Sequence, residues 1–152
     1  MDKFDIQILQ ALQADAGLSV ADLAELASIS KSACWRRIQK LQEENVITRR
    51  VTLLNPAALE LPLTVFISVR TNQHNREWAH QFKQVVAQIA GILEVYRLGG
   101  DVDYLIKAQV RDLPDYDRLY QELIKADLFD VSASFVMEEL KHTTELPLPD
   151  PN

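Results

Sequence analysis

Apolar residues recur at helical spacing through the first 44 positions. Phe4, Ile8, Leu9 and Leu12 form one stripe and predict a helix over residues 3–14, with Gly17 as its C-terminal glycine. Ser19 then precedes Val20–Ala27, with Asp22 three residues on. This acidic variant of the capping box predicts a short second helix. After the turn Ser28-Ile29-Ser30, Cys34, Ile38 and Leu41 stand at i, i+4 and i+7 and predict a third helix at about Lys31–Glu44, with Asn45 as a left-handed stop. At Val46–Leu54 the period changes. Val46, Ile47, Val51, Leu53 and Leu54 interleave with Thr48, Arg49, Arg50 and Thr52, which predicts two short strands with a turn near Thr48–Arg50.

Asn55-Pro56 and Leu61-Pro62 interrupt the chain and set residues 55–62 as a linker between a domain at 1–54 and a second at 63–142. The second domain reads strand, helix, strand, strand, helix, strand. Leu63–Thr71 is rich in β-branched residues; Arg76–Ala90 carries Trp78, Phe82, Val85, Val86 and Ile89 on one face. Ile92–Leu98 and Tyr104–Val110 are strands around the Gly99-Gly100 break. Asp112 caps Leu113–Ala126, whose stripe is Leu113, Tyr116, Leu119, Tyr120 and Leu123. Phe129–Leu140 is the last strand, with Ser132, Ser134, Val136 and Glu138 on one face. The fold class is therefore α+β: a winged helix-turn-helix followed by a ferredoxin-like βαββαβ sandwich, both helices on one sheet face. The other face lacks a helical cover, and a second copy of the sheet is the expected one. The tail at 143–152 contains Pro147, Pro149 and Pro151, and is expected to lie along a surface or fray.

The 152 residues are 47% hydrophobic and 25% charged, ordinary for a globular chain and unlike a disordered one. The longest uncharged stretches, Gln84–Leu93 and Leu61–Val69, are about half of what a membrane-spanning helix needs. The charged start Met1-Asp2-Lys3-Phe4-Asp5 is unlike a signal peptide, so a cytoplasmic protein without membrane association is expected. A single cysteine excludes an intrachain disulfide, and the three scattered histidines give no metal-ligand spacing. No metal and no cofactor are expected, and the GxxxxGK[ST], GxGxxG, HExxH and GxSxG motifs do not occur.

The net charge of −6 hides an asymmetry: −4 over residues 1–30, +4 over 31–50 and −6 over 51–152. One basic cluster on an acidic body suits a protein that meets phosphate with a small surface. A basic amphipathic helix alone is most often a solvated face. Here it follows a capped helix and precedes a candidate wing, and that combination favours a helix-turn-helix on double-stranded DNA, with the third helix in the major groove. Ser32, Trp35, Arg36 and Gln39 face away from the apolar stripe; Arg36 and Gln39 can read guanine and adenine edges respectively. Lys31, Arg37, Lys40, Arg49 and Arg50 are expected phosphate contacts. Trp35 either touches sugar or a thymine methyl, or packs under the wing. Cys34 lies on the apolar stripe as a structural thiol.

Asp5-x-x-Ile8-Leu9-x-x-Leu12-Gln13-x-Asp15, Leu18-Ser19-x-x-x-Leu23-Ala24, Ser30-x-x-x-Cys34-x-x-Arg37-Ile38-x-x-Leu41-x-x-x-x-Val46-Ile47 and Leu54-Asn55-Pro56 together resemble the leucine-responsive/asparagine-regulator (Lrp/AsnC) family of transcription factors. In the second half, Gly99-Gly100-Asp101-x-Asp103-Tyr104-Leu105 and Ser134-Phe135-Val136-Met137-Glu138-Glu139-Leu140-Lys141 resemble its amino-acid-binding domain. Trp78, Tyr96-Arg97 and His142-Thr143-Thr144-x-Leu146-Pro147-Leu148 look most like the branch with regulators of cysteine detoxification. The resemblance implies homodimers that often assemble to octamers, and a small amino-acid effector.

Gly99-Gly100-Asp101-Val102-Asp103-Tyr104 is the candidate effector loop. Two glycines let backbone amides approach a carboxylate, and Asp101 or Asp103 can pair with an ammonium. From the residues alone a plain hairpin turn is the favoured reading. The resemblance implies instead that the loop lines an effector pocket between subunits, with Ser132 and Ser134 facing it from a neighbouring chain. Asp101 and Asp103 as an acid–base pair would need a nucleophile, a histidine or a metal nearby, and none is in place, so an enzyme is not expected. An amino-acid-sensing partner protein without DNA binding of its own is the alternative function; the six bases in residues 31–50 speak against it.

Overall fold

A computed structural model describes residues 1–151. They divide into two compact units: Met1–Leu53 with Lys141 onward, and Leu54–Leu140.

The first unit holds α1 (Lys3–Ala14), α2 (Val20–Leu26) and α3 (Lys31–Glu43). Each start is set by a side-chain cap. Asp2 and Asp5 form a capping box on α1, Ser19 and Asp22 another on α2, and Ser30 accepts from the Ala33 amide on α3. Asn45 at φ 56° ends α3, and the Val46 and Ile47 amides both donate to Leu41 O. Ile47 thereby packs against a core of Ile8, Leu23, Ala24, Ala27, Cys34 and Ile38. Gly17 does not end α1 in a left-handed turn. The helix stops at Ala14, and the Asp15 carboxylate accepts the Gly17 amide at 2.7 Å. In the tail, Leu146 is tied to α1: its amide donates to Gln13 Oε1 (2.7 Å) and its carbonyl accepts from Gln13 Nε2 (3.1 Å).

The strand pair expected at Val46–Leu54 is not formed. The segment makes no ladder, and Val51, Leu53 and Leu54 are more than half exposed. Alternation supplies a strand-like pattern, but an isolated two-stranded ribbon is only marginally stable in water.

The second unit contains β1 (Leu63–Arg70), α4 (Arg76–Gln88), β2 (Ile92–Arg97), β3 (Tyr104–Val110), α5 (Leu113–Leu123) and β4 (Asp130–Phe135), with 3-10 turns at Ala57–Leu59 and Ile124–Ala126. The strands order as β2-β3-β1-β4, every pair antiparallel. Val65, Ile67 and Val69 of β1 and Ile106, Ala108 and Val110 of β3 are fully buried, packed with Trp78, Phe82, Val86, Leu119 and Leu123 of the helices. By period 2 the opposite face carries Phe66, Tyr96, Ser132 and Ser134, all exposed. This is the ferredoxin-like arrangement. Gly91, at φ 97°, makes its tight return: a Cβ there would lie 3.0 Å from Gln109 O.

The end of β4 and the exposure of Leu113 differ from expectation. β4 ends at Phe135 rather than continuing to Leu140, and Met137 and Leu140 are almost fully exposed. Its partner decides this. Val65 pairs with Phe135, the Val136 amide reaches Thr64 O at 3.0 Å, and β1 begins one residue earlier at Leu63, after Pro62. Leu113 is exposed, not part of the α5 stripe, because it sits in the first turn beyond the edge of the packed face.

Candidate nucleic-acid interface and effector site

Helix α3 presents two sides. Cys34, Ile38 and Leu41 are buried, and burial pushes the Cys34 thiol up, as expected of an inert structural residue. Lys31, Ser32, Trp35, Arg36 and Lys40 are exposed, and Gln39 is half-buried with its amide bonded to Gln42 Oε1 at 3.2 Å. Ser32 shares a hydroxyl contact with the cap Ser30 (3.2 Å). Trp35 is 54% exposed, so it does not pack under a wing. Arg49 and Arg50 are exposed beyond α3. Among the described residues Lys31, Arg36, Arg49 and Arg50 have no ion-pair partner, and Lys40 has only Glu44 at 3.8 Å.

Arg37 is different. Its Nη1 donates to Asp5 Oδ1 at 2.7 Å and lies 2.8 Å from Asp2 Oδ2, with the guanidinium 5.2 Å from the Phe4 ring centroid. The Asp5 hydrogen bond, reinforced by Asp2, holds this guanidinium above its ordinary pKa despite desolvation. In the structure Arg37 is thus a half-buried tie between α3 and the start of α1. The signal was the acidic Asp2-x-x-Asp5 start, which local periodicity does not connect to a residue 32 positions on.

The Gly99–Tyr104 loop joins β2 to β3. Only Gly100 takes a positive φ, 135°, and a Cβ at either glycine would meet nothing within 4 Å, so the backbone here is open to approach. Asp101 is exposed and bonds to no described residue. Asp103 is built in: Oδ2 accepts the Thr71 amide at 2.8 Å, its own amide donates to Val69 O, and its carbonyl accepts from Leu98 N. Tyr104 turns its ring into the core, 4.6 Å from Phe82 and 5.8 Å from Trp78. Ser132 and Ser134 lie on β4, two strands away from β3, about 10 Å by strand spacing, so one chain does not bring them to the loop. A small cleft of about 150 Å³ adjoins Asp103 and Tyr104, lined also by Thr71, Asn75, Arg76 and Arg97. Of its lining, the sequence singled out Trp78, Arg97, Asp103 and Tyr104 but did not bring them together with Thr71, Asn75 and Arg76. The described residues include no cluster of three or more metal-ligating side chains and no helix long and apolar enough to cross a membrane.

A capped trihelical unit with a basic exposed helix, followed by a βαββαβ unit, defines a two-part regulator: one part for DNA, one for a small ligand. Comparison with known proteins agrees. Residues 1–48 match a model described as winged helix-turn-helix DNA-binding, and residues 64–146 match the Lrp/AsnC ligand binding domain. The chain is 49% identical over 151 residues to the glutamate uptake regulatory protein of Zymomonas mobilis, covering 99% of this chain and 92% of that one. It is 37% identical over 150 residues to the DNA-binding transcriptional activator DecR of Escherichia coli, covering 97% and 99%. Among solved structures, an AsnC family transcriptional regulator from Agrobacterium tumefaciens superposes with a TM-score of 0.92 at 47% identity, covering 97% of each chain. A transcriptional regulator from Neisseria meningitidis, solved in complex with L-Met, gives 0.90 at 32% identity, covering 97% and 96%. The chain belongs to the Lrp/AsnC family. It is a DNA-binding transcriptional regulator with an amino-acid-binding domain, and the family is one of regulators rather than enzymes.

Proposed function

We propose that this regulator senses an α-amino acid at the Gly99–Tyr104 loop and relays its binding to DNA through assembly. The observation that carries the reading is the unengaged Asp101 carboxylate beside the open backbone of Gly99 and Gly100. The ligand carboxylate meets amides near Gly99 and Gly100, and its ammonium meets Asp101; Asp103 and Tyr104 hold the loop in shape. Ser132 and Ser134 of a neighbouring copy complete the pocket. A homodimer forms by covering the exposed sheet face around Phe66 and Tyr96, and dimers assemble to octamers. Because the ligand lies where copies meet, it favours whichever assembly holds the better pocket, and DNA affinity shifts by the reciprocal coupling. An α-amino acid as ligand is supported by the L-Met complex of the Neisseria relative and by the role in glutamate uptake that the Zymomonas relative's name carries. On DNA, Ser32, Trp35, Arg36 and Gln39 face the groove and Lys31, Lys40, Arg49 and Arg50 meet phosphate, in the cytoplasm where the DNA is.

The test is a thermal-shift screen of the twenty amino acids on the full chain, since a ligand bound to the native state raises the midpoint by mass action. At least one amino acid raises it, and Asp101→Ala weakens that ligand by one to two orders of magnitude, the effect of removing a charge-assisted hydrogen bond of about 1.5–3 kcal/mol. Unchanged calorimetric affinity in Asp101→Ala would refute the placement.

A further inference from the structure

Arg36 and Arg37 are neighbours on α3, yet a helix turns each successive residue by about 100°, and the two side chains meet different surroundings. Arg36 is exposed; Arg37 runs across to the start of α1. Both acceptors there are themselves held. Asp2 caps α1 by accepting the Phe4 and Asp5 amides at 2.9 and 3.1 Å, and Asp5 Oδ2 accepts the Asp2 amide at 2.9 Å. Nη1 carries two protons and directs them at two carboxylates, 2.7 and 2.8 Å away. One guanidinium faces two carboxylates, so the charge of Arg37 is already taken up, and Arg36 and Lys40, which line the same hollow, are the side-chain cations left there for a phosphate. The guanidinium also lies over the Phe4 ring, 5.2 Å from its centroid.

We propose that Arg37 is a positioning residue for sequence readout: its tie to Asp2 and Asp5 fixes the rotation of α3 against α1, so that Arg36 and Gln39 are aimed at base edges, and it does not itself bind phosphate. Even a small rotation of a helix about its own axis re-aims every side chain on its exposed face. The Cys34, Ile38 and Leu41 stripe sets one side of α3, and the Arg37 tie pins a second side from 32 residues away. Phosphate and base contacts respond differently to such a roll. Long flexible lysines and arginines still reach a phosphate, whereas a base-edge pair depends on a fixed plane and angle.

The experiment uses the full chain and two DNA probes: a duplex selected on the parent protein from a random pool, and the same duplex scrambled. Affinity for each is measured across salt. Arg37→Met keeps the aliphatic stem over Phe4 and removes the charge. The positioning role predicts that the selected-to-scrambled affinity ratio falls about tenfold, while affinity for the scrambled duplex and its salt slope stay at the parent values. A direct role on phosphate predicts instead equal weakening on both duplexes and a slope shallower by about 0.9 for each phosphate that is no longer neutralised. Asp5→Asn keeps Arg37 and loosens the tie, so it answers the question even if Arg37→Met unfolds. It is expected to lower the ratio by the same factor and to add nothing in the double variant. Stronger binding of Asp5→Asn to both duplexes would mean that a freed Arg37 reaches phosphate, and would overturn the proposal. So would an unchanged ratio in both variants.

Discussion

Asp103→Ala and Asp101→Ala are expected to separate two acidic side chains that stand two positions apart in one loop. Asp103 Oδ2 accepts the amide of Thr71, which is 8% exposed, at 2.8 Å. Truncation leaves that buried N–H without its charged acceptor, at a loss of about 1.5–3 kcal/mol. The ladder survives, because the Asp103 amide to Val69 O and the Leu98 amide to Asp103 O are main-chain bonds. With a urea slope of about 1–3 kcal/mol/M, the unfolding midpoint of the second unit falls by about 1 M. Asp101 bonds to nothing described, so Asp101→Ala stays within about 0.5 kcal/mol of the parent. The chain has two tryptophans, one in each unit. In a Trp35→Phe background, fluorescence reports Trp78 alone, which is buried and donates Nε1 to Ala126 O at 2.8 Å. Urea titrations of that background with each alanine variant give the answer. A parent-like midpoint for Asp103→Ala, or an equal loss in Asp101→Ala, would refute the division of roles between them.

Other outcomes follow from the same geometry. DNA binding should weaken steeply with salt, log K falling at a slope near −5 when about six of the basic side chains of a dimer meet phosphate at once, and a flat response in anisotropy titrations would contradict the basic surface. Leu119→Ala, at a fully buried position between α5 and the sheet, should cost about 2–5 kcal/mol in urea unfolding. Ser30→Ala removes the cap of α3 and should cost about 1 kcal/mol, seen as a lower midpoint for the first unit. Asp115 accepts the Arg111 amide and two Arg118 donors, and these hold its carboxyl below the ordinary range. A lowered folded pKa stabilises above the unfolded value of about 4, and that contribution is lost as pH falls through the folded value. Stability on acidification should therefore drop less in Asp115→Asn than in the parent.

Much of the architecture stands in local sequence because local chemistry sets it. Ser19 with Asp22, Ser30, Asn45 and Asp112 each act within four residues, and each marks the helix end that it caps or stops. Period-2 alternation likewise put Ser132 and Ser134 on one face of the last strand, and that face is exposed. What failed depends on partners distant in sequence. Alternation in Val46–Leu54 names no strand to pair with, and β4 continues only as far as β1 extends beside it. The ties that Arg37 and Asp103 make in the structure are likewise beyond the reach of local pattern. A basic residue on a basic helix reads as a phosphate contact, and an aspartate after two glycines reads as a ligand contact. Their acceptor and donor, Asp5 and Thr71, each lie 32 residues away. Asp101, unengaged in the same loop, is where the effector reading now concentrates.

The proposed function requires that one chain read DNA sequence and that an amino acid change how tightly it does so. The direct measurement is an anisotropy titration of the full chain on its selected duplex and on the scrambled one, repeated with each of the twenty amino acids. Binding to the selected duplex is expected to be tighter and, for at least one amino acid, to shift by about 5- to 150-fold, the range of a coupling of about 1–3 kcal/mol. Equal affinity for the two duplexes, or an affinity that no amino acid moves, would contradict it.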